Sequence, residues 1–295
     1  MSHVAAENEE ALRAWDGVLF ERFVRFRDVI VAGLARHGEE ALVREPPREG
    51  DRVLDVGCGF GDSSALLAEL VGPRGSVLGV DVAPRFVAAA QAEYSAPNVR
   101  FEVCDVQRAE FAETFDYAFS RFGTMFFASP VAALRNVRRA LVPEGRLCMV
   151  VWRKREDNPW MHRAETVVKP LVPENEETDE ARCGPGPFSM ASADTVSLQL
   201  QSAGFERVRL ERCDLPYLMG RDLEEAVALT MSLGPAAEAI RLAGEKADPL
   251  KEMLADLLRD ALRDYETADG VIASSSTWIV TAQVPERSSS SSSSW

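Results

Sequence analysis

Residues 53–62 read Val-Leu-Asp-Val-Gly-Cys-Gly-Phe-Gly-Asp, with glycines at 57, 59 and 61 and acids at 55 and 62. Glycines let a backbone turn sharply and approach a ligand closely. Placed between a strand and a helix, such a turn sits where doubly wound sheets bind their ligands. Charge decides which ligand. A dinucleotide loop is written G-x-G-x-x-G, and here its last position is Asp62. At a helix N-terminus that carboxylate would repel the pyrophosphate it should receive. The Gly-Lys-Ser/Thr of a nucleotide P-loop is absent as well.

Two further acids follow at telling positions. Asp81 closes the apolar run 76–80, in the place where a carboxylate can accept both hydroxyls of a ribose. Asp105, in Val103-Cys-Asp-Val106, closes the next run, where it could accept an adenine amino group. Asp55 ends the first strand and suits a cation. Three acids on one edge of three successive strands fit a nucleoside with positive groups and no phosphate, which describes S-adenosylmethionine (SAM). The plainer reading, that all three merely form turns, is set aside because the three share one edge.

The elements that must position these residues follow from periodicity. An amphipathic helix is expected over 12–36, entered after Trp15-Asp16-Gly17, with Phe20, Phe23, Val24, Val31 and Leu34 as its stripe and Arg27 interrupting it. From Asp51 short apolar runs alternate with helical ones. Strands are expected at 52–56, 76–80, 99–104, 115–120 and 146–152, and helices at 63–71, 84–94 and 131–141. This alternation predicts an α/β fold, a parallel sheet with helices on both faces. A Pro-, Glu- and Gly-rich excursion over 153–192 reads as a lid. Then come a helix at 194–203, a strand at 205–211, a helical stretch over 221–265 and a last strand at 277–283. In that stretch Leu250, Met253, Leu254, Leu257, Leu258 and Leu262 are expected on one face. Residues 287–295, a serine run, read as a disordered tail.

The domain division expected is therefore an N-terminal helical cap at 1–47, a cofactor-binding core at 48–154 and a lid at 155–192. The core continues at 193–215, a helical cap insertion spans 216–272, the last core strand occupies 273–286, and the tail follows.

The 295 residues carry a formal net charge of −14, which opposes nucleic acid and anionic membranes as partners. The arginine groups 22, 25, 27 and 135, 138, 139 read as solvated helix faces. Cys58, Cys104, Cys148, Cys183 and Cys213 contain no C-x-x-C pair, so neither a disulfide framework nor a metal site is expected. The polar, acidic start has no basic-then-apolar leader, and no run is long enough to span a bilayer. A cytoplasmic protein is expected.

The glycine loop, Gly79-Val-Asp81 and Cys104-Asp-Val106 together resemble the SAM-binding motifs of class I methyltransferases, in particular the ubiquinone/menaquinone C-methylase-like (methyltransferase type 11) group. The resemblance extends to Trp15-Asp-Gly17, to Ser120-Arg-Phe-Gly-Thr-Met-Phe-Phe127, and to Val151-Trp-Arg153 with Asn158-Pro-Trp160. Gly184-Pro-Gly-Pro-Phe188, Ala203-Gly-Phe205 and Trp278-Ile-Val-Thr281 also match, so it covers about Trp15 to Pro285. It implies a Rossmann-like seven-stranded sheet with its last strand antiparallel and helical insertions over the site. It also implies SAM held by Asp55, Gly57, Gly59, Asp81, Asp105 and the turn at Ser120, and S-adenosylhomocysteine as product. Cys58, Gly61, Val82, Val106 and Arg121 flank these positions and are counted with the cofactor site. The chain departs from the group at Asp16, Cys58, Phe60 and Thr124.

Methyl transfer from SAM is an in-line displacement that chiefly needs alignment and exclusion of water. A base is needed only for an acceptor that must first lose a proton. His162 is the one histidine expected near the edge and so the candidate base; His3 and His37 fall outside. Phe122, Met125, Phe126, Phe127, Trp15 and Trp160 are candidates for an acceptor pocket, or for core packing and helix anchoring. Arg121 pairs with Asp81 or Asp105, or holds an acidic acceptor. The acceptor expected is a small, apolar or aromatic metabolite. Other readings are a nicotinamide oxidoreductase, a SAM-binding module without transfer, and a protein methyltransferase with an open groove.

Overall fold

Eight strands form one sheet: β1 (Arg52–Val56), β2 (Ser76–Asp81), β3 (Val99–Val103), β4 (Phe115–Arg121), β5 (Leu141–Trp152), β6 (Glu206–Gly220), the two-residue β7 (Glu266–Thr267) and β8 (Gly270–Gln283). The order is β3-β2-β1-β4-β5-β8-β6, with β7 paired to β8 at the margin. This computed structural model describes residues 8–172 and 184–286. β1 to β5 pair in parallel, and β8 runs antiparallel to both of its long neighbours. Val53, Leu54 and Val56 of β1 are buried to 1% exposure or less, the unbroken apolar signature of a strand covered on both faces. The chain order reverses between β1 and β4, which opens the crevice that such sheets use for ligands.

The helices are α1 (Glu9–Ala14), α2 (Phe20–Arg25), α3 (Arg27–Arg44), α4 (Asp62–Val71), α5 (Pro84–Glu93), α6 (Pro130–Ala140), α7 (Pro159–Val168), α8 (Ala193–Ala203), α9 (Leu223–Thr230), α10 (Pro235–Ala243) and α11 (Lys251–Leu262). From β1 to α8 the core elements match their expected spans to within a residue, except that β5 begins at Leu141, five residues before the expected 146. The single helix expected over 12–36 is broken twice. Gly17 adopts φ −106°, ψ −115° inside a π-type turn at Trp15–Leu19, and Phe26 leaves helical geometry at φ −108°, ψ 20°. The second break explains Arg27: its guanidinium lies over the Phe60 ring and pairs with Glu93, while Val24 is exposed.

Three further expectations are corrected. β6 and β8 are 15 and 14 residues long, about twice the expected strands, because they continue as a mutual ribbon past the sheet. Ser274-Ser275-Ser276 and Pro216 mute the apolar signal there, although backbone pairing persists. On α11 the buried face is Leu254, Leu258 and Leu262 at four-residue steps, while Met253 and Leu257 are exposed. The arginines are not simply solvated: Arg22 donates to the Ser232 carbonyl at 2.9 Å, and Arg138 to that of Gly204 at 2.9 Å. The serine tail, His3 and Cys183 lie outside the described residues. The other four cysteines are free thiols. No helix among the described residues is long and apolar enough to cross a membrane.

Candidate active site

At the carboxyl ends of β1, β2 and β3 the glycine loop turns with φ of 72° at Gly57, 54° at Gly59 and 87° at Gly61. The three positions do different work. A Cβ on Gly61 would stand 2.9 Å from Ala90 and Phe101, so that glycine serves close packing. A Cβ on Gly59 would meet nothing within 4 Å, and Gly59 lines a cavity of about 810 Å³. Asp81 holds this loop: Oδ2 accepts from the Gly59 N–H at 3.1 Å and Oδ1 from the Ala83 N–H at 3.0 Å. Burial raises its carboxyl pKa, and the N–H donors of Ala83 and Gly59 pull it back. Asp105 accepts from Asn8 Nδ2 at 3.0 Å on each oxygen and from the Gln107 N–H at 3.0 Å. Asp62 pairs with Arg121 at 2.5 Å. Asp62, Asp81 and Asp105 all line the cavity, so its rim is acidic. An acidic rim without a phosphate cradle fits a sulfonium nucleoside, and the open space facing Gly59 admits one.

Beyond the rim the cavity widens into an aromatic chamber. Phe122 has φ 59°, a costly conformation for a bulky residue, and its N–H donates to the Val150 carbonyl at 2.9 Å. In that posture its ring stacks on Trp152 at 4.4 Å, and Trp160 stacks on Tyr217 at 4.3 Å. Trp15 meets Phe126 edge-on at 4.8 Å, and both line the cavity. Residues of α9 and α10, among them Leu229, Ala237 and Leu242, close the far wall. Acids in this part are answered by arginines, Glu165 by Arg155 at 2.6 Å and Glu238 by Arg241 at 2.9 Å. Among the described residues, no histidine lines the cavity.

Of the residues expected to hold cofactor, Gly57, Cys58, Gly59, Asp81, Val82, Asp105, Val106 and Arg121 line the cavity. So do Trp15, Phe122, Met125, Phe126, Phe127 and Trp160, expected for the acceptor pocket. Four residues are elsewhere. Asp55 is fully buried beneath the loop, where its Oδ2 accepts from Ser63 Oγ at 2.8 Å and Ser64 Oγ at 2.6 Å. Burial raises its pKa to about 6 against the pull of the two serine hydroxyls, whose bonds tie it to the start of α4; it does not line the cavity. Ser120 is buried, its Oγ donating to the Val56 carbonyl at 2.7 Å. Gly61 packs against α5, as above. His162 is exposed on the outer face of α7 and cannot reach the chamber as a base.

Arg121 has a different partner from those expected: Asp62, not Asp81 or Asp105. Its Cδ would lie 2.8 Å from a Cβ on Gly38, so α3 yields space to it. Phe60, the bulky departure in the loop, packs with Phe86 at 4.9 Å and Phe20 at 6.0 Å, forming the socket of the N-terminal helices. His37, placed outside the site from sequence, stands behind its wall, edge-on to Phe122 at 6.1 Å and Trp152 at 5.7 Å. Its Nε2 is 2.7 Å from Ser275 Oγ and its Nδ1 is 3.0 Å from Thr277 Oγ1. Burial lowers its pKa to about 4 and keeps it neutral. Sequence reasoning missed Asn8 and Tyr217. Neither carries a spacing signal, because each meets its partner across the fold.

A model of the methyltransferase domain matches residues 53–145, from β1 into the start of β5. Nocamycin O-methyltransferase of Saccharothrix syringae is 32% identical over 228 residues, 72% of this chain and 79% of that protein. A ubiquinone/menaquinone biosynthesis C-methyltransferase of Pseudomonas putida is 30% identical over 133 residues, 43% of this chain and 52% of its own length. The YcgJ protein of Bacillus subtilis shares the fold, with a TM-score of 0.55 at 17% identity over 85% of this chain and 99% of that one. The chain belongs to the class I, Rossmann-like methyltransferases. It is a SAM-dependent enzyme, as its acidic rim anticipates.

Proposed function

We propose that this enzyme methylates a small, largely apolar or aromatic molecule enclosed in the chamber next to its cofactor. The observation that carries this reading is the continuity of the cavity: one space runs from Gly59, Asp81 and Asp105 to the aromatic wall beneath α9 and α10. Its volume of about 810 Å³ lies in the range of small-molecule sites. When bound, SAM supplies an activated methyl group with a neutral thioether as leaving group. Asp105 holds the adenine edge, Asp81 the ribose hydroxyls, and the Gly57–Gly59 backbone with the Arg121–Asp62 pair the methionine end. The aromatic wall and the helical cap orient the acceptor and exclude water. Positioning of this kind can supply about 7–11 kcal/mol. Among the described residues, Glu165 and Glu238 are ion-paired and His162 is exposed, so alignment is proposed as the main contribution. The relative named for O-methylation of nocamycin supports a small-molecule acceptor.

Titration calorimetry tests the cofactor assignment. SAM binds the wild type with micromolar affinity, and Asp81→Ala weakens it about 100-fold through loss of charge-assisted hydrogen bonds. Unchanged affinity in that variant removes Asp81 from its role. The acceptor class is tested by S-adenosylhomocysteine release with small aromatic compounds against peptide substrates. Turnover confined to peptides contradicts it.

A further inference from the structure

Tyr217 sits on β6 opposite Ala273 of β8, only 3% exposed, and lines the chamber. Its ring stacks on Trp160 with 11° between the planes and meets Trp152 edge-on at 6.4 Å. The hydroxyl has no hydrogen-bond partner among the described residues, and burial alone pushes the phenol above its usual range. The other deeply buried tyrosine behaves differently: Tyr117, in the core, donates to the Glu45 carbonyl at 2.7 Å. On the ring stacked against it, Trp160 Nε1 is likewise without a partner among the described residues, whereas Thr230 Oγ1 is engaged with the Ala226 carbonyl and Glu165 with Arg155. The Tyr217 hydroxyl is not one of the sealed, unpartnered polar atoms, so on a residue that lines the cavity it opens to that space. An unengaged donor in the wall of a ligand cavity marks a place for a ligand atom.

A second observation comes from the facing helix. Gly33 lies within α3, where glycine costs about 1 kcal/mol relative to alanine. A Cβ there would stand 2.5 Å from Tyr217 Cε2 and 2.9 Å from Cζ. Ile30, Val31 and Leu34 around it line the same cavity. The helix thus forgoes a side chain at the point where the hydroxyl-bearing end of the phenol passes into the chamber.

We propose that Tyr217 recognises the methyl acceptor by donating its O–H to an acceptor oxygen, so that the chamber selects planar, largely apolar molecules carrying a phenol, enol or carbonyl oxygen. The inference rests on the reading of this cavity as the transfer site. Because the phenol stays protonated, Tyr217 is a donor that fixes and polarises that oxygen, not a base.

The test uses protein loaded with S-adenosylhomocysteine and two probes, 2-naphthol and 2-methylnaphthalene, compared by titration. The wild type should bind the naphthol about 10-fold more tightly than its methyl analogue, the worth of one good buried hydrogen bond. Tyr217→Phe should bring the ratio to within about two-fold, with S-adenosylhomocysteine affinity and melting temperature unchanged. Gly33→Ala, which displaces the ring, should lower the ratio in the same direction. A ratio that survives in Tyr217→Phe overturns the assignment, as does a wild type with no preference. Failure of S-adenosylhomocysteine to bind is visible in the same experiment; it strikes the cofactor reading first and this inference with it.

Discussion

The acidic rim, proposed to hold the cofactor, and the aromatic chamber, proposed to hold the acceptor, share one cavity but are assembled in opposite ways. At the rim Gly59, Asp81 and Asp105 come from three successive strand ends, and short local hydrogen bonds fix them, such as those from the Gly59 and Ala83 N–H groups to Asp81. The chamber takes Phe122 and Trp152 from the ends of β4 and β5, Trp160 from α7, Tyr217 from β6 and Leu229 from α9. Its order comes from ring stacking and burial, with few directed polar contacts. A polar rim suits a constant ligand, whereas a chamber whose wall joins strand ends to the helices α7, α9 and α10 can change its shape through the helices alone. Perturbations of the rim should therefore alter cofactor affinity, and perturbations of the chamber should alter acceptor discrimination.

The largest effect expected joins the two regions. Phe60 belongs to the glycine loop yet packs into the N-terminal helices, so Phe60→Ala should cost about 3–5 kcal/mol of stability and loosen the cap. Chemical denaturation and limited proteolysis at the N-terminal helices would check this. A loss below about 1 kcal/mol would mean that the helices dock independently of the loop.

Next comes His37, which supports the chamber wall from behind. Its pKa is lowered in the folded state, to about 4 from 6.5, so its contribution is complete above pH 6.5 and is lost as pH falls towards 4. Relative to His37→Gln, the wild type should lose about 3 kcal/mol over that window. Denaturant midpoints at several pH values would show it, and parallel curves for the two proteins would contradict it. Asp55 contributes with the opposite sign. Its pKa is raised, to about 6 from 3.8, so stability falls as pH rises between those values, and Asp55→Asn should remove that fall.

The smallest effect expected is at Asn8. Its amide ties the first described turn to Asp105, so Asn8→Ala should cost about 1 kcal/mol of cap docking and speed SAM release a few-fold, with acceptor discrimination unchanged. Stopped-flow dissociation would measure it. A change in acceptor preference would blur the division between rim and chamber.

The contrast also explains which features were legible in the sequence. The rim was readable because each part is local: a glycine spacing, then an acid at each strand end, all within the alternating βα pattern. Asp55 nevertheless was misplaced. Sequence puts it at a strand end, but only the fold shows that Ser63 and Ser64 claim it from below. Phe122, Met125 and Phe126 were singled out by their place just after the fourth strand, with core packing as the alternative, and they line the cavity. Tyr217 and Asn8 could not be found, since a stacked ring across β6 and α7 and an amide reaching Asp105 leave no periodic trace. His162 failed for a related reason: its place in the chain near the active edge says nothing of which face of α7 it occupies, and that face is the outer one. The over-short β6 and β8 show the same limit, because backbone pairing holds strands that their serines and proline conceal.

A crystal structure of the enzyme with S-adenosylhomocysteine would decide where the cofactor lies. The adenine edge should lie on Asp105, the ribose hydroxyls on Asp81, and the sulfur should turn towards Phe122 and the aromatic chamber. A nucleoside bound away from those two carboxylates, or a sulfur facing solvent with the chamber closed off behind it, would contradict this placement.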